Sequence, residues 1–222
     1  MQDYQHLRDT KVFVADAGSV DGTPELALAF GDRLNVSVIP GGLPSVGRNA
    51  GAARANSRFV LFIDADIEME DSTLLRRSVE KMKKRELFCL TTNIECICGG
   101  IFDDALYAGN NLVQRVASWT RPFATGMYMM FDRETFWNLG GFDEKALYAE
   151  DYLLTQKVSP IRFGIVSGSV QTSNRRFKKM GHLRIARMFL NTALHTFDRS
   201  YFHRDQSYWT DFKTNTVDAP RA

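Results

Sequence analysis

Asp64-Ala65-Asp66 sets two carboxylates one residue apart, directly after five consecutive apolar residues at 59–63. Carboxylates that leave a buried strand are costly to desolvate without a partner. In a turn they converge, and such oxygen donors suit Mg2+ or Mn2+, which bind one or two carboxylates plus substrate phosphates. Taken alone, the pair reads equally as a solvated turn with helix-capping acids. Glu150-Asp151 is a second acid pair. There one carboxylate can raise the pKa of the other. The same two acids can simply open a helix at Tyr152. Arg48 is a fixed cation suited to phosphate, or a solvated helix-face arginine. Arg175 and Arg176 offer a diphosphate clamp, or a basic surface with Lys178 and Lys179. His182 by itself reads as a structural histidine.

The elements that must position these residues follow from local pattern. Short apolar runs at 11–15, 36–39, 59–63, 87–92, 94–98, 127–131 and 161–166 read as strands. Helices are expected from Pro24 after a Thr23 cap, over 45–56, over 72–85, over 133–139 and near 152–158. Residues 99–118 are ambiguous, part helix. The clearest amphipathic helix is 183–197, with Leu183, Ala186, Leu190, Ala193, Leu194 and Phe197 at helical spacing. That stripe is expected to pack on the domain, leaving Arg184, Arg187, Asn191, His195 and Arg199 for solvent or an anionic membrane surface. Strands alternating with helices predict an α/β fold with a mostly parallel central sheet. Ligands of such sheets sit at the carboxyl ends of strands, where Asp16 and Asp64-Ala65-Asp66 fall.

Bulk properties set bounds. With 222 residues, 44% of them apolar, the chain supports one domain. A formal charge of +2 lacks the dense basic stripe of a nucleic-acid binder. Cys89, Cys96 and Cys98 match no zinc or redox spacing and are expected as reduced thiols in a cytoplasmic protein. No apolar run reaches the ~18 residues of a membrane span, and residues 1–9 are too polar for a signal peptide.

Several stretches together resemble the family-two, GT-A-type glycosyltransferases. They are the loop from Val14 through Asp16 to Thr23, Arg48-Asn49 with Gly51 before the strand into Asp64-Ala65-Asp66, Gly140-Gly141-Phe142-Asp143-Glu144 before Glu150-Asp151, and residues 172–181. The resemblance implies a nucleotide-diphospho-sugar donor and an inverting transfer to a sugar, lipid-linked or protein acceptor, with Mg2+ or Mn2+. It puts Asp16 at the nucleoside, Asp64 near the ribose, and Arg48, Arg175 and Arg176 near the phosphates. Asp66, with His182, is implied at the metal, Asp151 as general base and Glu150 as its orienting neighbour. Ala17 replaces a second acid carried by many members. The domain is expected over 1–200, with a nucleotide part at 11–98, an acceptor part at 99–182, a helix at 183–199 and a tail at 201–222. Members normally open with a further strand, so the chain reads as N-terminally truncated, with residues 1–7 the end of a helix. The competing readings are a non-catalytic nucleotide-sugar-binding fragment, a haloacid-dehalogenase-type phosphotransferase and a nucleotidyltransferase.

Overall fold

The computed structural model describes residues 1–97, 99–196 and 198–204. In chain order the elements are β1 (Lys11–Asp16), α1 (Thr23–Leu28), β2 (Asn35–Pro40), α2 (Pro44–Arg54), β3 (Phe59–Ile63), β4 (Ile67–Glu68), α3 (Leu74–Arg85), β5 (Cys89–Ile97), α4 (Ile101–Ala117), β6 (Tyr128–Asp132), α5 (Arg133–Asn138), α6 (Glu150–Thr155), β7 (Phe163–Ser173), α7 (Arg175–Met180), α8 (His182–Leu194) and α9 (Arg199–Phe202). The α/β class is as expected. β1 and β2 form a parallel pair in one sheet, and the other strands form a second sheet in the order β3-β6-β5-β7-β4. β5 and β7 are parallel, and β6 and β4 run against their neighbours. Three of the five strands of the larger sheet, β3, β5 and β7, therefore share one direction.

Among the described residues β1 and β3 are not hydrogen-bonded to each other. β3 is therefore an edge strand. Its five apolar residues suggested burial on both faces, yet only Phe62 is buried. Helix α2 packs on β1 closely enough that a Cβ on Gly47 would lie 2.9 Å from Ala15 Cβ. Gly41 is closer still to the Ala15 backbone, which any side chain there would disturb.

Two clusters fill the core. One joins α3 to the sheet through Leu74, Met82, Leu90, Tyr128, Met130 and Val170. The other is aromatic: Phe62, Phe131, Phe136 and Phe142 lie with ring centroids 5.0–6.3 Å apart, mostly edge to face. This cluster sits under the turn after β3 and the Gly140-Gly141-Phe142 segment, so it fixes both.

Several local expectations change. The sequence suggests two strands, at 87–92 and 94–98; residues 89–97 form the single strand β5, with an irregularity between Thr91 and Asn93 where Thr92 Oγ1 donates to Gly168 O at 2.8 Å. Residues 5–10 are hydrogen-bonded turns rather than a helix end. The segment is docked by Gln2, which donates to Asp71 O at 2.9 Å and accepts from Leu75 N at 3.0 Å. Thr23 does not cap α1; Asp21 does the local bonding, accepting from Thr23 N and Oγ1. Cys89 and Cys96 both lie in β5, Cys89 fully buried, and Cys98 lies outside the described residues. No helix among the described residues is long and apolar enough to cross a membrane.

Candidate active site

The centre of the site is Arg48, the fifth residue of α2. Its Nη2 donates to Asp64 Oδ1 at 2.6 Å and its Nη1 to Glu150 Oε1 at 2.5 Å. The guanidinium also lies 5.4 Å from the Phe142 ring centroid. Burial works against its charge, but Asp64, Glu150 and Asp151 outweigh burial and hold it firmly cationic. One planar fork thus ties the turn after β3 to the start of α6, which a lysine's point charge would not do.

Asp151 sits beside this pair. Its Oδ2 accepts from Gly126 N at 2.5 Å and its Oδ1 from Tyr152 N at 2.7 Å. Desolvation raises its pKa above the usual carboxylate range, against the opposing pull of Arg48 and the two amides. Glu150 is raised as well, first by desolvation and then by the charge of Asp151. A carboxylate restrained by amides, and made more basic by burial, matches the requirements of a general base.

Gly126 admits a close approach of the Arg48 side chain from α2. A Cβ there would collide with the Arg48 guanidinium. Gly126→Ala is expected to cost about 1–3 kcal/mol, the usual range for overpacking. A thermal melt checks this, and an unchanged melting temperature would mean that Arg48 has room to move. Asn49 was noted in the sequence only as part of a motif. Its Nδ2 donates to Phe142 O at 2.9 Å and its Oδ1 accepts from Phe142 N at 3.0 Å. Arg48 and Asn49 therefore clasp two different segments, and their adjacency is the signal that could have revealed it.

The other candidates lie around this centre. Asp66 is exposed and pairs with Arg175, Nη2 to Oδ2 at 3.3 Å. An open cavity of about 560 Å³ is lined by Ser173, Asn174, Arg175, Lys178 and Lys179. Arg176 is half-buried, and its charge acts on Tyr107 and Tyr148, whose phenols burial pushes up to about 12. Asp16 is tied to its own loop, accepting from Ser19 N and Gly18 N at 2.9 Å; bonds from Ser19, then Gly18, hold its carboxyl below the usual range. His182 is placed with Asp103, Nε2 to Oδ1 at 2.6 Å, and stacks on Phe177 at 5.3 Å. No group of three or more His, Cys, Asp or Glu residues able to hold a metal occurs among the described residues. A cation at Asp66 would therefore complete its shell with substrate oxygens, which is the usual habit of Mg2+.

The family model for Glycosyl transferase family 2 matches residues 4–140. The chain belongs to glycosyl transferase family 2. The match contains Asp16, Arg48, Asp64, Asp66 and Gly126 and stops before Glu150. The haloacid-dehalogenase-type and nucleotidyltransferase readings fall with it. No curated protein matches the chain. Among solved structures, TarS of S. aureus superposes with a TM-score of 0.57 at 19% identity, covering 86% of this chain and 36% of that one. The mannosyltransferase PcManGT of Pyrobaculum calidifontis, in complex with GDP-Man and Mn2+, gives 0.58 at 21% identity over 85% and 57%. Mannosyl-3-phosphoglycerate synthase of Rubrobacter xylanophilus gives 0.54 at 19% identity over 89% and 66%. These likenesses show the GT-A fold. The chain spans between about a third and two thirds of those proteins.

Proposed function

We propose that this family 2 chain carries out an inverting transfer of a sugar from a nucleoside-diphosphate donor to an acceptor hydroxyl, with Asp151 as the base. The observation that carries the proposal is the Arg48-centred cluster: one guanidinium joins Asp64 to Glu150, and Asp151 stands beside it between two amides. The acceptor oxygen attacks the anomeric carbon while the bond to the diphosphate breaks, and the acceptor proton passes to Asp151. Displacement from the opposite face inverts the centre. Asp64, held by Arg48, and Asp16 stand on the donor side, as ribose and nucleoside contacts. Arg175 and Arg176 attract the phosphates from α7. Asp66 would hold Mg2+ or Mn2+ together with the diphosphate, and the cation would supply neutralisation of the leaving charge. The GDP-Man and Mn2+ bound by the mannosyltransferase, and the UDP bound by TarS, support a donor and cation of this class.

A binding module without turnover is the second reading. It is favoured by one observation: among the described residues β1, which carries Asp16, is not hydrogen-bonded to the sheet whose β3 leads into Asp64. Titration calorimetry with UDP and GDP, with and without Mn2+, beside a donor-hydrolysis assay, separates the two. Asp66→Ala is expected to weaken Mn2+-supported nucleotide binding by at least the roughly tenfold that loss of an outer-shell metal partner costs. Unchanged binding would remove Asp66 from the metal. Tight binding by the native chain without hydrolysis or transfer would favour the module.

A further inference from the structure

Helix α4 is amphipathic in the inverted sense. Asp103, Tyr107 and Gln114 are buried toward the domain, with Asn110 and Asn111 half-buried beside them. Asp103 accepts from Gly100 N at 3.0 Å and Asn174 Nδ2 at 3.1 Å, besides its pair with His182. Asn111 grips the Ile94 backbone from both sides, accepting at 3.0 Å and donating at 2.8 Å. These bonds fix the rotation of the helix. Its outward side carries Ile101, Phe102, Leu112, Val113 and Val116, with Ile101 86% and Phe102 76% exposed. With Ala105, Ala108 and Gly109 they cover an arc of about 140° without a charged residue, at 3.6 residues per turn. Trp119, just beyond the helix, is 80% exposed.

Helix α8 repeats the arrangement, contrary to the expectation that its apolar stripe packs on the domain. Leu183, Phe189, Leu190 and Leu194 are exposed, Leu183 at 89%. The buried side puts Ile185 in the core and is anchored by polar contacts: Thr192 bonds the Tyr148 hydroxyl at 2.5 Å, and Thr196, just past the helix, bonds Tyr152. Phe197, also assigned to the stripe, lies outside the described residues. The helices meet at their N-terminal ends, where the Phe102 ring lies 6.1 Å from His182, the residue before Leu183. Soluble monomers rarely leave apolar patches of this extent uncovered without a use.

The surrounding charge indicates what covers this one. Exposed Arg184 and Arg187 lie at the edge of the α8 stripe. From Arg175 to Leu194 there are six Lys or Arg residues and no Asp or Glu. On α4 the flank carries Asp104 and Arg115. An apolar arc bordered by cations on α8, and by one acid and one cation on α4, on helices too short or too polar to cross a bilayer, fits helices lying in the plane of an anionic interface. We propose that the outward faces of α4 and α8 form one docking surface for an anionic membrane.

The test is flotation of the purified chain with vesicles of phosphatidylcholine alone and of equal parts phosphatidylcholine and phosphatidylglycerol. Binding to the mixed vesicles is expected, weakened by salt. Arg184→Ala with Arg187→Ala should lower partitioning about 10- to 30-fold, given what each basic residue contributes near such a surface. Val113→Asp with Leu190→Asp should abolish it at an unchanged melting temperature, since both side chains are exposed. The proposal is overturned by no flotation, by equal binding to pure phosphatidylcholine, or by flotation that survives the aspartates. Sedimentation showing a dimer that the aspartates dissociate would assign the face to a second copy instead. The assay uses no donor, so its outcome is independent of the transfer reaction.

Discussion

Asp151→Asn is expected to lower sugar transfer by about 10²–10⁴-fold, the usual worth of a general base, while raising the melting temperature. The two effects share a cause. Desolvation raises the Asp151 pKa, so its ionised form is disfavoured in the folded chain. A carboxyl whose folded pKa lies above its unfolded value favours folding below the unfolded pKa. That contribution is lost as pH rises through the folded pKa. Asparagine has no charge to desolvate and can still accept from one of the two amides. The gain in stability over the native chain should therefore be near zero in acid and grow toward neutral and alkaline pH. It should amount to a few degrees, at about 2–4 °C per kcal/mol for a chain of this size. The native transfer rate should rise with pH above the ordinary carboxylate range, as Asp151 gives up its proton. A pH series of melts beside a transfer assay checks both. A variant with full transfer would remove Asp151 from the chemistry. A variant that melts lower at neutral pH would mean that the amide bonds outweigh desolvation.

Arg48→Met has the larger expected effect on stability. Removing one partner of a buried ion pair costs about 3–5 kcal/mol, because the remaining charge stays buried and uncompensated. Here it is Asp64, Glu150 and Asp151 that lose their cation. The melting temperature should fall by about 6–20 °C at 2–4 °C per kcal/mol. The loss should be greatest at high pH and shrink as pH falls through the raised pKa values of Glu150 and Asp151, where protonation relieves these two acids. Arg48→Lys should fall between the two, since one ammonium does not reproduce the fork that reaches both Asp64 and Glu150. Calorimetric scans of the three proteins across pH read the effect directly. Equal melting temperatures would show that the cluster is held without Arg48.

Much of this site was legible before any fold was known. The strand into Asp64-Ala65-Asp66, the α2 helix and the acid pair at α6 are announced by contiguous apolar runs and by Gly and Pro punctuation, which act within a few residues. The roles of Asp16, Asp64 and Asp66 as strand-end acids followed from the same local signals. Arg48 is legible as a cation suited to phosphate, but its double engagement is not. Asp64 is 16 residues away and Glu150 is 102, and only the packing of α2 against both segments brings them within hydrogen-bond reach. His182 shows the same limit, since its partner Asp103 lies 79 residues earlier.

The chain's own residues determined where helices and strands form, which faces of α8 are apolar and basic, and the order of the motifs. The tertiary structure decided which face turns inward. Periodicity states that a helix has two unlike sides; it does not state which side the rest of the domain occupies. On the inner side, hydrogen-bonded Asp103 and Asn111 of α4 and Thr192 of α8 stand beside the buried Tyr107 and Ile185, and most of the other apolar residues of both helices face outward. The same holds for β3, whose sequence suggests burial on both faces and whose place at the edge of the sheet leaves it half-covered. Local pattern is set by neighbours in the chain. Orientation is set by contacts across the fold, where satisfying buried polar groups weighs as much as covering apolar ones.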